Sequence, residues 1–485
     1  INNSGKKLIA FINNVLDAAK IKAGKLQIHR QELRPAELLA DIFDLAVFTA
    51  AFKKIALNQR VAKDLPPIHG DREKLEQVII NLVGNAMKFT SEGGAVTVRA
   101  EADGSFVRFS VQDTGVGIAP ENLPNLFRPF EQLDLARQRV ASLLGAAPEE
   151  IIFTSCGTES DSTALWAAVR AWPEKKHIIT TKVEHPAVLN VCRFLETQGY
   201  RVTYLPVDGA GRINLEDLKA AITPETALVS IMWANNETGV IFPVEEAARI
   251  THARGAMFHT DAVQAVGKLP INLKDTKIDL FSLSGHKLHA PKGIGALYVR
   301  KGSRFAPFLL GGHQEHGRRA GTENVPYIAG LGKAAELAAA NLEKENTYVR
   351  GLRDRLEAGL LRIKNSRVNG GGADRLPNTT NISFEYVEGE SILLMISEKG
   401  ICASSGSACT SGSLEPSHVL MSMSVPQTYA HGSVRFSLSV YNTQEEVEYI
   451  IKEFPPIIER LRAISPFADG KPLFGMESCE PRRQP

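Results

Sequence analysis

A chain of 485 residues, 44% hydrophobic and 23% charged, exceeds one ordinary core and predicts two or three domains of globular type. A formal charge of +2 without a long run of like charge excludes a polyanion-binding tail, so no nucleic acid is expected. There is no apolar run of about 18 residues and no signal-peptide pattern, which predicts a cytoplasmic location without membrane attachment; the chain opens on Ile1, which leaves room for a lost upstream segment. Cys156, Cys192, Cys402, Cys409 and Cys479 are an odd set without metal-ligand spacing, so reduced thiols are expected and no metal site.

Residues 1 to about 22 predict an amphipathic helix, with Leu8, Ile12, Val15, Leu16 and Ala19 at helical spacing. DREKLEQVIINLVGNAMKFT predicts another, whose buried face is Leu75, Val78, Ile79, Leu82, Val83 and Ala86 and whose second stripe is Gln77, Asn81, Asn85 and Lys88. Asn lowers helix propensity, so Asn81 and Asn85, one turn apart, make more sense as ligands to magnesium and phosphate than as surface filler. VRFSVQDTGVGIAPENLPNLFRPFEQ then predicts a strand, followed by Asp113 and a turn with Gly115 and Gly117.

In order and spacing these stretches resemble the ATP-binding domain of sensor histidine kinases, and residues 7 to 35 resemble that family's second dimerisation helix and linker. The resemblance implies that Asn85 holds the magnesium of Mg-ATP, that Asn81 and Lys88 approach the phosphates, and that Asp113 takes the adenine amino group beside Gly115 and Gly117. Neither His29 nor His69 lies in a phosphoacceptor box, and the second glycine box expected after LFRPFEQ is absent. An incomplete α/β-sandwich ATPase domain is therefore expected, without autophosphorylation or tight ATP binding.

From LARQRVASLLG onward short β-branched runs alternate with amphipathic helices: EEIIFTS, TESDSTALWAAVRAW, HIITTKV, HPAVLNVCRFLETQG, RVTYLPV, NLEDLKAAI, TALVSIMWA, PVEEAARITHARG and MFHTDA. This alternation predicts an α/β fold with a mostly parallel sheet covered on both faces. Polar residues then fall at strand ends, where such sheets bind ligands: Thr158 at a helix start suited to phosphate, His185, Asn236 and Asp261. FHTDAVQAVGK and FSLSGHKLHAPKG follow one another, the first carrying Asp261 and Gln264, the second Ser284, His286 and Lys287. An aldehyde cofactor needs a lysine amine, and a pyridine nitrogen needs a carboxylate to stay protonated. Lys287 and Asp261 fit pyridoxal phosphate, with Ser284 and His286 as phosphate donors and Gln264 near a ring oxygen. Taken singly, each would more often be a helix cap or a solvated loop residue.

GIGALYVR closes the large domain, GGHQEHGRRAGTENV is a Gly-rich loop, and NTTNISFEYV, GESILLMISEKG and SVRFSLS predict a smaller α+β domain whose last helix starts at a capping box of Thr443 and Glu446. In ICASSGSACTSGSLEPSH, Gly and Ser surround Cys409, a setting for a nucleophile that must travel. Cys402 is expected to be packed, and Cys156 is left open between packed and phosphate-facing. Arg435 is the candidate clamp for a substrate carboxylate, with a structural ion pair as the alternative.

The motifs TSCGTESDS, VEHPAVL, MWANNETG, FHTDAVQAVGK, SGHKLHAPKG, RRAGTEN and SSGSACTSGSLEPSH stand in the order of cysteine desulfurases, and residues 136 to about 468 resemble that class V aminotransferase group, the nitrogenase-associated type above all. The resemblance implies the fold type I of pyridoxal 5′-phosphate transferases and conversion of L-cysteine to L-alanine. It implies that His185 stacks on the cofactor and shuttles protons with Lys287, and that Asn236 and Gln264 touch substrate or ring oxygen. Cys409 takes the sulfur as a persulfide for an iron–sulfur scaffold or other acceptor, and Thr322 reaches the phosphate of a neighbouring subunit in a homodimer. The expected domains are 1–35 and 36–133 of kinase type, a large domain at 134–330, a small domain at 331–470 and a tail at 471–485. Family members carry an opening strand and a polar Asn-Ala-Thr-Thr segment where kinase-like sequence stands here, so a truncated or joined reading frame with reduced turnover is expected. A non-catalytic hybrid is the remaining alternative.

Overall fold

The computed structural model describes residues 28–117, 131–405 and 416–465. The helix expected over residues 1 to about 22, most of LFRPFEQ, Cys409, Cys479 and the tail at 471–485 lie outside them. The chain forms two compact units, Ile1–Arg128 and Pro129–Pro485.

In the first unit, β1 (Gln31–Leu33) leads to α1 (Pro35–Phe52), which opens on a proline whose missing N–H costs nothing there. There follow β2 (Ala56–Val61), β3 (Ile68–Gly70), α2 (Arg72–Phe89), β4 (Ala95–Asp103) and β5 (Phe106–Asp113). Strand β4 lies between β2, parallel to it, and β5, antiparallel, while β1 pairs with β3. Asp71 caps α2 by accepting from the Lys74 N–H at 3.2 Å. Leu38, Leu39 and Ile42 of α1 and Ile79, Val83 and Ala86 of α2 share one core with Val96 and Val98 of β4. Val78 and Leu82, expected inside, are 54% and 47% exposed. The buried stripe is the narrow Ile79–Val83–Ala86–Met87 row, and positions one residue before it are rotated about 100° away.

The second unit begins with α3 (Glu131–Leu144) and continues through β6 (Ile151–Thr154), α4 (Gly157–Ala171), β7 (His177–Thr181), α5 (Pro186–Thr197), β8 (Arg201–Leu205) and α6 (Leu215–Ala221). It goes on through β9 (Thr226–Ser230), α7 (Val244–Ala253), β10 (Met257–Asp261), β11 (Leu280–Ser284) and β12 (Gly295–Val299). These strands form one seven-stranded sheet of order β6-β12-β11-β10-β9-β7-β8, with only β12 antiparallel to its neighbours. Because strand side chains alternate, Met257 packs with α4 on one face and Phe258 with the cluster of α3 and α7 on the other. This is the mostly parallel, doubly covered sheet expected from the alternating pattern.

α8 (Val325–Lys344) lies on α3 so closely that a Cβ on Gly332 would stand 2.5 Å from the Ala136 Cα. One residue further into α3, the buried Arg137 binds Glu315 through both guanidinium nitrogens at 2.7 and 2.8 Å and the Ile151 carbonyl at 2.7 Å. The remaining elements are α9 (Arg350–Leu360), β13 (Ser366–Val368), β14 (Thr379–Phe384), α10 (Gly389–Ser397), α11 (His418–Ser422), α12 (Gln427–Ala430), β15 (Ser433–Ser437) and α13 (Gln444–Ile464). β13, β14 and β15 form an antiparallel sheet covered by α9, α10 and α13. The expected capping box opens α13: Thr443 accepts from the Glu446 N–H at 3.3 Å, and Glu446 accepts from the Thr443 N–H at 3.1 Å. Among the described residues no helix is long and apolar enough to cross a membrane.

Phe454 of α13 is fully buried between Phe384 and Phe436, with ring centroids 5.0 and 5.7 Å away. Phe454→Ala should therefore lower stability by about 3–5 kcal/mol, read as a fall in the urea midpoint.

Candidate functional site

Parallel strands deliver their carboxyl ends to one edge of the sheet, and polar residues collect there. His185, one turn past β7, is the N-cap of α5; its Nδ1 accepts from the Ala187 N–H at 3.1 Å, which leaves Nε2 to carry the proton of the neutral ring. Burial lowers the pKa of this ring, and the charge of Lys287 lowers it further. Asp261 ends β10, buried, its Oδ1 accepting from the Val263 N–H at 2.9 Å. Burial pushes its carboxyl up to about 6, against the Val263 N–H and the Lys287 charge. Ser284 ends β11, its hydroxyl 2.8 Å from His286 Nδ1, and Lys287 stands half-buried in the following 3₁₀ turn. Thr158 lies in the first turn of α4, where Gly157 lets the helix start approach: a Cβ there would meet Val263 at 2.9 Å and Ser284 at 3.3 Å.

Asn236, Gln264, His286, Lys287 and Arg435 line one cleft of about 550 Å³. Arg435 donates from Nη1 to the Asn236 carbonyl at 2.8 Å, so this guanidinium is oriented from the large domain's side by a backbone oxygen. Its neighbour Glu237 is buried and bonds Ser417, and burial pushes it up to about 7 against Ser417 and Arg435. Thr322 lies elsewhere, in a cavity of about 230 Å³ with Ser155 and Arg319. Arg319 grips Glu159 of α4 at 2.7 and 3.1 Å, and Glu159 also accepts from the Ser155 N–H. Burial would raise the Glu159 carboxyl, but these partners outweigh it and hold it low. The Thr322 loop is thus tied to the helix start that bears Thr158.

Cys402 is exposed and not packed as expected, because among the described residues the strand-like start of its segment makes one backbone bridge, at Ser404, and presents Cys402 to solvent. Cys156 caps α4 and is half-buried; Cys192 is buried. In the first unit, Asn81, Asn85 and Lys88 share the exposed side of α2, and Asp113 accepts from the Gly115 N–H at 2.8 Å. A Cβ on Gly115 would meet the Phe89 carbonyl at 2.5 Å, so the glycine turn abuts the carboxyl end of that helix.

Behind Asp261 lie residues the motifs had not singled out. His259 shares its face of β10 and bridges Ser230 at 2.8 Å and Ser282 at 3.0 Å, with Asp161 of α4 at 3.6 Å. Burial pushes His259 down to about 3, so it is neutral, and holds Asp161 well above the usual carboxylate range with Asp261's charge adding to the effect. Glu184, fully buried, accepts from Thr181 Oγ1 at 2.8 Å and the Met232 N–H at 3.0 Å; burial raises it to about 8 despite those bonds. Two-residue periodicity back from Asp261 would have found His259. Glu184 stands beside His185 in VEHP with no mark of its own.

Residues 128–450 match the family model described as aminotransferase class-V, and residues 70–147 match histidine kinase-, DNA gyrase B- and HSP90-like ATPase. The chain is 63% identical over 337 residues, 69% of its length and 84% of the relative's, to a cysteine desulfurase of Trichormus azollae. It is 60% identical over 340 residues, 70% of its length and 85% of the relative's, to the cysteine desulfurase NifS of Azotobacter vinelandii. Among solved structures it is similar to a NifS-like protein, with TM-score 0.65 and 39% identity over 70% of this chain and 92% of that one. It is also similar to DndA from Streptomyces lividans, with TM-score 0.57 and 38% identity over 67% and 91%.

A carboxyl raised from 4.5 to about 8 makes the folded state the stronger proton binder between those values. Stability from Glu184 is therefore full below the unfolded pKa and is lost as pH rises through 8. Glu184→Gln should gain on the parent with rising pH, by up to about 1.4 kcal/mol per unit, in urea unfolding measured from pH 5 to 8.5.

Proposed function

The chain belongs to the class V aminotransferase family, and on that premise we propose that it is a cytoplasmic cysteine desulfurase. It converts L-cysteine to L-alanine and passes the sulfur, as a persulfide on Cys409, to an acceptor protein of iron–sulfur cluster assembly. The balance closes without an outside oxidant: the Cys409 thiol and cysteine give the Cys409 persulfide and alanine. Transfer of the substrate's sulfur to the thiolate leaves the bonding electrons of the C–S bond on the carbon skeleton, where a proton completes the methyl group.

The donor set fits pyridoxal 5′-phosphate. Lys287 would hold its aldehyde, Asp261 its ring nitrogen and Gln264 its ring oxygen, with His185 against the ring and Thr158, Ser284 and His286 at the phosphate. Thr322 would reach the phosphate of a second copy in a homodimer. When bound, the cofactor supplies an electron sink that loosens the substrate's Cα proton and C–S bond. The Lys287 amine takes and returns that proton, and His185 moves a proton at Nε2, its Nδ1 being occupied by the Ala187 N–H. Arg435 binds the substrate carboxylate, with Asn236 beside it.

The observation that carries this reading is how the Cys409 segment is tethered. Before it, Ser404 and Arg435 exchange backbone hydrogen bonds at 3.2 and 2.7 Å. After it, Ser417 bonds Glu237, and His418 Nε2 lies 3.0 Å from the carbonyl of Glu184, next to His185. Both tethers stand beside candidate site residues: Ser404 at Arg435, and Ser417 and His418 at the neighbours of Asn236 and His185.

A second reading, an ATP-binding module of histidine kinase type, is favoured by the match over residues 70–147. The missing second glycine box leaves a triphosphate without its backbone cradle.

Lys287→Ala should abolish the visible absorbance of the cofactor-loaded enzyme, read by a scan with and without cysteine; an unchanged spectrum would overturn the assignment. Cys409→Ser should keep the spectral response to cysteine yet lose alanine release by more than about 100-fold, and persulfide mapped to Cys402 or Cys156 instead would refute it. Titration calorimetry of the full chain with Mg-ATP should show no binding tighter than about 10 μM.

A further inference from the structure

The cleft holds a second lysine that the proposed reaction does not use. Lys268 closes the turn after Asp261 and is only 8% exposed, yet it lines the same cleft as Lys287. Gly267 makes this possible: at φ +73° it brings the turn so near that a Cβ would stand 2.6 Å from Leu288 and 3.1 Å from Ala338. Glu345 lines the same cleft at the start of a π-helical stretch, Glu345–Val349, between α8 and α9. Its neighbour Asn346 donates to the Lys268 carbonyl at 2.8 Å. Such widened turns insert an extra residue and are frequent at functional sites.

Burial lowers the Lys268 amine to about 8, with Glu345 opposing the fall and Lys287 adding to it. His286 is lowered by burial first, then by Lys287, Lys292 and Lys268. Asp261 of β10 and His185 of α5 face Lys287 as well, and Arg435 of β15 lines the cleft. Charge repulsion is mutual, and a neighbouring cation is a recognised way to keep a lysine amine reactive.

We propose that Lys268 is a positioning residue that lowers the proton affinity of the Lys287 nitrogen, with Glu345 anchoring Lys268 in the cleft. The proposal rests on the cofactor reading given above. The alternative is a structural counter-ion for Glu345, which would affect folding alone.

The test is a spectrophotometric pH titration of the chain loaded with pyridoxal 5′-phosphate, reading the midpoint of the change in visible absorbance. Lys268→Met should raise the midpoint by about 0.5–1 pH unit, and Lys268→Arg should leave it within about 0.2 unit. A normal spectrum with an unmoved midpoint in Lys268→Met overturns this proposal alone; a parent chain without the absorbance overturns the cofactor reading and this one with it. If Lys268→Met does not load, Lys268→Gln carries the same expected rise. Loading lost in both while Lys268→Arg loads with the parent's midpoint would make Lys268 a structural counter-ion and overturn the proposal.

Discussion

Everything at the sheet edge depends on keeping one buried acid charged beside one half-buried amine. Asp261 sits where burial favours the neutral form, and two groups act against this: the Val263 N–H on Oδ1 and the charge of Lys287. The other acids behind it do not compete for that charge. Burial pushes Glu184 up to about 8, burial and the Asp261 charge hold Asp161 well above the usual carboxylate range, and His259 stays neutral between two serines. A single ionised carboxylate among three buried acids is the least costly arrangement, since a second would add both desolvation and repulsion.

The small domain contributes by orientation. Strand β15 brings Arg435 to the Asn236 carbonyl, and Asn381 of β14 donates to the Glu237 carbonyl at 3.3 Å. The loop after β9 is itself stapled by Asn235, which accepts from the N–H groups of Glu237 and Thr238 and donates to the Val183 carbonyl. Two adjacent asparagines therefore divide the work: Asn235 shapes the loop, and Asn236 offers its carbonyl to the small domain.

The sheet and its ligand edge were legible because parallel strands buried on both faces read as short apolar runs, and a polar residue at the end of such a run stands out. Asp261 ends such a run, His185 follows one by a turn, and Lys287 lies in the turn after another. The acids behind the site were not, because Asp161 looks like any early-helix acid and Glu184 like any turn acid until tertiary packing buries them. The error at Val78 and Leu82 has a related cause: helical periodicity marks a broad apolar face, while the width that is buried depends on which neighbour covers it. Cys402 was misjudged because a strand-like sequence does not say whether a partner strand runs its full length.

Arg137 and Glu315 are far apart in the chain yet form a buried two-pronged pair, and Gly332 seats α8 against the same helix. Removing one partner of such a pair typically costs about 3–5 kcal/mol. For anyone recombining this polypeptide, α3 is consequently the leading edge of a heritable block. A crossover placed before Glu131 carries the pair across whole, whereas one placed after Arg137 brings in a foreign helix that must supply both a guanidinium and a residue as small as Ala136 opposite Gly332.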